Sequence, residues 1–577
     1  MREFIFAWLL TAPAVAGQLA ALPEYLRTDP SGQIVDADKR AASAPWTRVT
    51  MKAARGGYVS FQLVAKAAGE YIVSVNLPFP VDVFREWYHH VDRIHKEYPD
   101  ALIPVVLPYR AKLEHPTQAF WVDIWVPVDA RAGVVKGQAV LDADGRRSTV
   151  PIEIDVLGAT VPAEDVVSID HNSYGTSWLP GQYPHARDTA AIIRLIHAYH
   201  RLFQEHRGVY HQLGYGHGGK VGPEFAPALE GSGRNKHIAS WEVFDQHYGP
   251  LLDGSAFRES RRGARPIPYV YLPINPEWPA SFLWWGEPGY EAEFVNVVSA
   301  MERHFREKGW TRTRFELFFN HKKRYKAFSW DGDEVRFAKD MDYSREFQRL
   351  MSKAVSADTP VRFVHRADVS WMMEREFQDL RGVVNFWVAG GGMLSWYRNA
   401  VSAVKSRGDI IWHYGGTPEI QKASSTITTN VLKTWLWGVD GYVHWLAVSP
   451  GPDPWFHSDG SSLALAYSGE RFGIQGPIPS IRLKIQRNCA QDIALLNKLP
   501  AALDEKRRQA AKRFNDTHPD QWWSKRPALA DTSPEEWTNT DIGEAEAPSQ
   551  KGFEEIDPAA WQRVRDYIMS IAAEVTP

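Results

Sequence analysis

Eight short apolar segments alternate with longer amphipathic stretches over residues 166–448. The first segment is VVSIDHN, after which a helical pattern begins near Asp188, and the last two are IIWHYGG and GYVHWLAV. Alternating strands and helices are typical of parallel β/α units. Because eight such units can close on themselves, the pattern predicts a (β/α)8 barrel of the TIM type over residues 163–500.

A period of two residues dominates the chain before the barrel. The run YVSFQLVA places apolar residues at alternate positions, as expected of a half-buried strand. Asp144-Gly145 predicts the turn of a hairpin. We therefore predict an antiparallel β-sandwich over residues 45–162, interrupted by one helix at VFREWYHHVDRIHKEY.

The composition is that of an ordinary globular protein and excludes several classes. A chain of 577 residues requires more than one core, and a net charge of −3 provides no general attraction for nucleic acid. The single cysteine, Cys489, excludes an intrachain disulfide. No stretch beyond the N-terminal segment is apolar enough to span a bilayer. Residues 501–577 are predicted to form a helical or irregular C-terminal extension.

The N-terminal run MREFIFAWLLTAPAVAG has the features of a signal peptide over residues 1–17. An apolar core follows Arg2, and small residues form a cleavage pattern at its end. A periplasmic or secreted bacterial protein is the expectation that follows. The alternative is a non-secretory N-terminus, because Glu3 offsets the charge of Arg2.

The carboxyl ends of the barrel strands are where such a fold carries its chemistry. They combine carboxylates, amides and aromatic rings, which are the groups that bind and hydrolyse a glycan. For any single tryptophan, a place in the core is the alternative. The predicted substrate-binding residues are Asn172, Tyr215, Asn275, Asn320, His321, Lys322, Trp330, Asp368, Trp412, Tyr414, Trp445 and Trp455.

The adjacent pair Asp333-Glu334 is the candidate for catalysis. Neighbouring side chains of an extended segment point in different directions. One carboxylate can therefore reach the glycosidic oxygen while the other holds a different group of the substrate. The alternative is an exposed acidic loop, since WDGDE is also a common surface composition.

Other chemistries have weaker support in the sequence. The histidines that could share the rim have neither the H-x-x-x-H nor the H-E-x-x-H spacing of a metal site, so no metal or cofactor is predicted. The chain contains no G-x-S-x-G motif, which disfavours a serine nucleophile. The basic run HKKR over residues 321–324 favours an anionic glycan if it faces the cleft, and is otherwise a solvated loop. The histidines in question are His171, His217, His321, His365 and His413.

Several runs resemble glycoside hydrolase family 123 and the barrel proteins that carry domain of unknown function 4091. In the sandwich they are YPDALIPV, QAFWVDIWVPVDARAGVVKGQAVL and IEIDVLGATVP. In the barrel they are IIWHYGG, TWLWGVDGYVHWLAV, DPWFHSDGSSLALAY and PIPSIRLKIQRNCAQDIALL. The resemblance covers about residues 45–495.

The resemblance implies hydrolysis of N-acetylgalactosaminides with retention, in which the substrate's own acetamido oxygen is the nucleophile. On this chain it makes Asp333 the residue that polarises the acetamido group, Glu334 the acid/base and Asn320 a substrate contact. The family usually has Asp-Glu-Pro, whereas Val335 follows Glu334 here. Two alternatives stay open: a non-catalytic glycan-binding protein, and a polysaccharide lyase in which Tyr or His removes a proton from C5 of a uronate.

Overall fold

The computed structural model consists of a β-sandwich followed by a parallel eight-stranded barrel, which confirms both predicted architectures. The sandwich packs against one side of the barrel. The structure describes residues 17–112, 114–213, 224–274, 278–280, 287–318, 334–335, 338–369, 374–390, 394, 398–448, 451–458, 464–500, 503–516 and 558–575.

Two five-stranded sheets form the sandwich, with strand orders β1-β3-β8-β5-β6 and β2-β10-β9-β4-β7. Pairing is antiparallel except between β2 and β10. Alternate side chains from the facing sheets fill the core, as the period of two predicts. The strands are β1 (Gln18–Pro23), β2 (Val49–Arg55), β3 (Gly57–Lys66), β4 (Glu70–Asn76), β5 (Val81–Val91), β6 (Lys96–Val105), β7 (Tyr109–Lys112), β8 (Gln118–Val126), β9 (Gly133–Ala143) and β10 (Arg146–Thr160).

The hairpin turn between β9 and β10 has the conformation expected of its sequence. Asp144 and Gly145 both have positive φ, 52° and 73°, and Ala143 pairs with Arg146. Asparagine, aspartate and glycine are the residues that tolerate this left-handed pair. One sheet also extends beyond the predicted limits of the sandwich, since β1 pairs with β3.

The helix predicted at VFREWYHHVDRIHKEY is wrong, because this segment forms β5, a turn and the start of β6. Both faces of β5 are covered: Val83 enters the sandwich core, whereas Trp87 packs against Trp455 and Phe472 beyond the sandwich. A register shift between Glu86 and Tyr88 then interrupts the alternation. A strand buried on both faces and bulged has no period-two pattern to recognise.

The barrel sheet has the order β12-β11-β20-β19-β18-β17-β16-β15, and its end strands β12 and β15 lie in contact. All its pairs are parallel, so every strand's carboxyl end lies on one rim. Two-stranded sheets accompany it. The strands are β11 (Ser168–Tyr174), β12 (Val209–Leu213), β13 (Ala228–Glu230), β14 (His237–Ser240), β15 (Tyr269–Tyr271), β16 (Arg314–Phe318), β17 (Arg362–Val369), β18 (Phe386–Gly390), β19 (Ile410–Gly416), β20 (Gly441–Trp445), β21 (Ala466–Ser468) and β22 (Pro477–Pro479).

Side-chain caps fix the starts of two helices that pack on the barrel. Asp188 Oδ1 accepts a hydrogen bond from Ala191 N at 2.7 Å, and Ser480 Oγ accepts one from Leu483 N at 3.0 Å. The helices are α1 (Leu179–Gln182), α2 (Thr189–Glu205), α3 (Glu242–Leu252), α4 (Tyr290–Glu307), α5 (Ala338–Ala354), α6 (Glu374–Asp379), α7 (Arg398–Ser406), α8 (Thr428–Trp437), α9 (Ile481–Lys498), α10 (Asp504–Asp516) and α11 (Pro558–Ala572).

Helix α9 is buried along almost its whole length between the sandwich and the barrel. Its Arg482 pairs with Asp100 of β6 at 2.7 Å, and its Arg487 pairs with Asp123 of β8 at 2.8 Å. Arg565 of α11 in turn contacts a carboxylate of α9, Asp492. Within the described ranges, no helix has the length and apolar character needed to cross a membrane.

Candidate functional site

Polar side chains line the interior of the barrel below its carboxyl rim. They come from strands that are not neighbours in the sheet, such as β12 and β16 or β15 and β17, and can meet only across the interior. Alternate residues of each strand point inward. The inward residues discussed below are Asp170, Asn172, Tyr174, His211, Tyr271, Glu316, Phe318, Arg366, Asp368, Tyr414 and Trp445.

Five of these form a continuous chain of charged groups. His211 Nδ1 lies 2.8 Å from Asp170 Oδ2, and its Nε2 lies 3.5 Å from Glu316 Oε1. Arg366 donates from Nη1 to Glu316 Oε2 at 3.2 Å. Its Nε and Nη2 bind the two carboxylate oxygens of Asp368 at 2.7 and 3.0 Å, a bidentate fork. The chain of contacts thus leads from the barrel interior up to Asp368 at the rim.

The charges of this chain affect one another strongly because most of these side chains are buried. Burial alone lowers the pKa of His211, but the negative charges of Glu316 and Asp170 outweigh it and leave the pKa raised. Burial raises the pKa of Glu316, while His211 and Arg366 oppose that rise. Burial also lowers the pKa of Arg366, but Asp368, Tyr271 and Glu316 together outweigh it and leave that pKa raised. Arg366 is therefore a fixed positive charge in the middle of the barrel.

Aromatic rings surround this charge. The Arg366 guanidinium lies 5.2 Å from the centre of the Tyr271 ring and 5.0 Å from that of Phe318. Tyr174 and Trp445 meet edge to face at 5.2 Å beside them. These four rings form an aromatic wall on the β11, β15, β16 and β20 side of the interior. Such a wall suits contact with the apolar face of a sugar.

Glu334 lies beyond β16, among the strand ends at the rim. Its Oε1 accepts a hydrogen bond from the Tyr414 hydroxyl of β19 at 3.1 Å. The next residue, Val335, donates its backbone N–H to the carbonyl of Asp368 at 3.1 Å and is itself buried. Glu334 is therefore anchored on both sides, by a hydroxyl from β19 and through the backbone of β17.

The structure brings together five of the residues predicted from the sequence: Asn172, Glu334, Asp368, Tyr414 and Trp445. They lie at the ends of β11, β17, β19 and β20 and on the segment after β16. Asn172 is only 2% exposed, and its Oδ1 has no hydrogen-bond partner among the described residues.

Two predicted tryptophans lie elsewhere. Trp412 is fully buried lower in the barrel, where its ring packs against Tyr269 at 4.6 Å and Phe386 at 4.8 Å. Trp455 packs against Trp87 and stacks on His89 of the sandwich. Both rings are packed in hydrophobic clusters, which is the core position considered as the alternative for any single tryptophan. Neither ring lies beside Glu334. The remaining predicted residues, Tyr215, Asn275, Asn320, His321, Lys322, Trp330 and Asp333, lie outside the described residues.

The histidines considered for a metal site do not converge where they are described. His171 points away from the interior, with Nε2 2.7 Å from Gln486 Oε1 of α9 and its ring stacked on Phe203. His413 Nε2 lies 2.8 Å from Thr434 Oγ1 of α8. Among the described residues, no group of three or more His, Cys, Asp or Glu side chains has the arrangement of a metal site. His217 and His321 lie outside the described residues.

His211, Glu316 and Arg366 are not among the residues predicted from the sequence. The available signal is a charged residue at an inward position of an otherwise apolar strand, as in FELF and VHRADV. Strands of a parallel barrel are buried on both faces, so a charge in their interior must have a partner across the barrel. Which residue is that partner depends on contacts between residues that are far apart in the sequence.

Comparison with known proteins gives similarity at the level of the fold. No protein-family model and no curated protein matches the chain. A family 123 glycoside hydrolase from Clostridium perfringens, described in a study of glycolipid glycan hydrolysis, superimposes with a TM-score of 0.64 at 12% identity, over 97% of this chain and 99% of that chain. This likeness covers both the sandwich and the barrel.

Two further solved structures match more loosely. A putative α-galactosidase from Bacteroides fragilis has 8% identity and a TM-score of 0.27, covering 84% of this chain and 81% of that chain. β-Glucuronidase 3 from Bacteroides uniformis has 11% identity and a TM-score of 0.28, covering 77% of this chain and 50% of that chain. At these TM-scores neither one contributes to the assignment of function.

Proposed function

We propose that the protein is a glycoside hydrolase and that Glu334 is its general acid and base. The observation that carries this proposal is the position of Glu334: a carboxylate at the carboxyl rim, hydrogen-bonded to Tyr414 and facing a barrel with an aromatic wall. Glycoside hydrolysis requires a carboxyl group fixed beside the glycosidic oxygen. Barrel enzymes carry such groups at this rim.

We further propose a substrate-assisted reaction on an N-acetylgalactosaminide or an anionic glycan, following the resemblance to family 123. The acetamido oxygen of the substrate attacks the anomeric carbon while Glu334 gives its proton to the leaving oxygen. This forms a cyclic oxazolinium intermediate and frees the aglycone. Glu334 then removes a proton from a water molecule as the water oxygen attacks the anomeric carbon. The bond from that carbon to the acetamido oxygen breaks, which regenerates the acetamido group and gives a product with retained configuration. Asp333 would orient the acetamido group throughout.

The described residues support two parts of this scheme. The Tyr414 hydroxyl holds one oxygen of Glu334, which limits the rotation of the carboxyl group. The fork between Arg366 and Asp368 fixes β17 at the place where its backbone binds Val335. A positioned acid loses less entropy in reaching the transition state.

Hydrolysis of an aryl β-N-acetylgalactosaminide tests the proposal. Replacing Glu334 with glutamine removes the proton donor and is expected to lower kcat by about 10²–10⁴-fold. Glu505→Gln, an exposed carboxylate on α10, is the matched control and is expected to retain full activity. Circular dichroism of both variants should match the wild type.

Two outcomes would contradict the proposal at different levels. Full activity of Glu334→Gln removes the assignment of this residue. Glycan binding without turnover in the wild type favours the non-catalytic alternative. A substrate with a 2-hydroxyl in place of the acetamido group tests the mechanism separately, because it should bind but not turn over if the acetamido oxygen is the nucleophile.

A further inference from the structure

A second pocket lies beside Tyr414, between the loop after β19 and the start of α8. Its volume is about 370 Å³. This falls within the range of roughly 300–1,000 Å³ that is typical of small-molecule sites. The lining residues that matter below are Gly415, Gly416, Glu419, Lys422, Thr429, Asn430 and Lys433.

The pocket lies at the same rim as Glu334. Gly415 and Gly416 directly follow Tyr414, whose hydroxyl binds Glu334. Helix α8 returns the chain from this rim to the start of β20, so its first turns are level with the strand ends. A glycan bound at Glu334 therefore has a neighbouring pocket one loop away.

The wall of the pocket is held in place by one buried tyrosine. The Tyr442 hydroxyl accepts a hydrogen bond from Asn430 Nδ2 at 2.6 Å and donates one to the carbonyl of Gly416 at 3.1 Å. A Cβ added at Gly415 would lie only 3.1 Å from the same hydroxyl. The absence of a side chain at Gly415 allows this close approach.

The charged groups of the pocket favour an anion. Lys422 and Lys433 both line it, and Lys433 is only 4% exposed. The carboxylate Glu419 also lines the pocket, and its Oε2 is bound by Arg93 of the sandwich at 3.3 Å and by Gln421 at 2.7 Å. Burial and the positive charge of Lys433 lower the pKa of His413 well below its usual range, so the lysine charge acts in a poorly solvated region.

One buried donor lacks a partner at this place. Thr429 is 4% exposed, and its Oγ1 makes no hydrogen bond to any described residue. A buried hydroxyl without a partner costs free energy unless a ligand or water satisfies it. The described residues that line the pocket include no aromatic ring, so the described lining selects by charge and hydrogen bonds.

We propose that this pocket binds a sugar unit that carries a carboxylate or sulfate group, next to the unit cleaved at Glu334. The lysines attract the anionic oxygens, and the hydroxyl of Thr429 contributes a hydrogen bond. A single inorganic anion would leave much of the volume unfilled. The proposal rests on the proposed function for the role of Glu334, but binding at the pocket itself does not require turnover.

Saturation-transfer NMR on the full-length protein tests it, with glucuronate, glucose and inorganic sulfate as the probes. We expect glucuronate to bind at least tenfold more tightly than glucose, and sulfate to compete with glucuronate but more weakly. Lys422→Gln is expected to weaken glucuronate binding about fivefold. Lys353→Gln, an exposed lysine on α5, is the control and should change nothing.

Three results would overturn the proposal: equal binding of glucose and glucuronate, unchanged glucuronate binding in Lys422→Gln, or sulfate binding as tight as that of glucuronate. The last result would reveal a simple anion site. Lys433→Met is a stronger perturbation but removes a buried charge, so Lys422→Gln decides if that variant does not fold. If the protein binds glucuronate but shows no glycosidase turnover, the binding site in the pocket is supported and the proposed function is refuted.

Discussion

Replacing Arg366 with methionine is the sharpest test of the charged interior of the barrel. Arg366 is 4% exposed and makes three hydrogen bonds, one to Glu316 and two to Asp368. Methionine has a comparable length and can keep contact with the aromatic rings. The substitution therefore removes the charge with little loss of packing.

The expected loss of stability follows from the carboxylates that remain when Arg366 is removed. Glu316 is fully buried, and without Arg366 the basic side chain that remains beside it among the described residues is His211. Removing one partner of a buried ion pair typically costs about 3–5 kcal/mol, because the other charge stays in a poorly solvated place. We expect a loss of unfolding free energy of that size at neutral pH. The loss should shrink in acid, where Glu316, whose pKa is raised, takes up a proton.

Urea unfolding followed by tryptophan fluorescence measures this loss. Arg349→Met is the matched control: Arg349 also binds two carboxylates, Glu291 at 2.8 Å and Glu346 at 2.6 Å, but is 42% exposed. A surface arginine of this kind contributes about 0–1 kcal/mol. The double variant Arg366→Met/Glu316→Gln removes the stranded charge and should recover part of the stability.

Two results would refute this reasoning. One is a cost for Arg366→Met no greater than that for Arg349→Met. The other is a double variant no more stable than Arg366→Met alone. Either would mean that the buried charges are compensated by something other than Arg366. Because Asp368 holds the backbone of Val335, kcat of the aryl substrate should fall together with stability.

Two further predictions concern other parts of the molecule. Glu86 is fully buried, neither of its oxygens has a hydrogen-bond partner among the described residues, and burial raises its pKa to about 8. The folded state then holds a proton that the unfolded state releases above about pH 4.5, so stability falls as the pH rises toward 8. Glu86→Gln should match the wild type in Tm at pH 5 and exceed it at pH 9, since each pKa unit corresponds to about 1.4 kcal/mol; parallel Tm curves would contradict this. Gly441→Ala would place a Cβ 2.4 Å from Trp412 Nε1 in the barrel interior, and should cost about 1–3 kcal/mol in urea unfolding. An unchanged urea midpoint would show that Trp412 moves freely.

The barrel could be predicted because each of its strands is a short apolar run bounded by polar loops. Strand β19, for instance, is the run IIWHYGG itself. Strand β5 could not be predicted, because both of its faces are buried against different parts of the protein. A register shift also interrupts the alternation of its apolar residues. An alternating pattern of apolar residues identifies a strand that is buried on one face. The pattern is lost where tertiary contacts bury both faces of the strand.

In the candidate site, too, some features could be predicted from the sequence and others could not. That Glu334, Asp368 and Tyr414 share a rim follows from parallel topology, because Asp368 and Tyr414 lie at the carboxyl ends of barrel strands and Glu334 lies on the segment after β16. That Tyr414 binds Glu334 and that Arg366 joins Glu316 to Asp368 depends on contacts across the barrel. The number of aromatic residues in the sequence likewise does not distinguish Trp445, which belongs to the aromatic wall, from Trp412, which is buried deep in the barrel core.

The buried helix α9 connects the sandwich to the barrel. Arg482, Lys484 and Arg487 all point from α9 to two sandwich carboxylates, Asp100 and Asp123. Apolar side chains could fill the same space without a desolvation cost, so the ion pairs favour a specific register more than tight association. Removing the sandwich would leave three cations of α9 without those carboxylates. Because α9 also hydrogen-bonds to the outer face of the barrel, that loss would destabilise the strands that carry the rim.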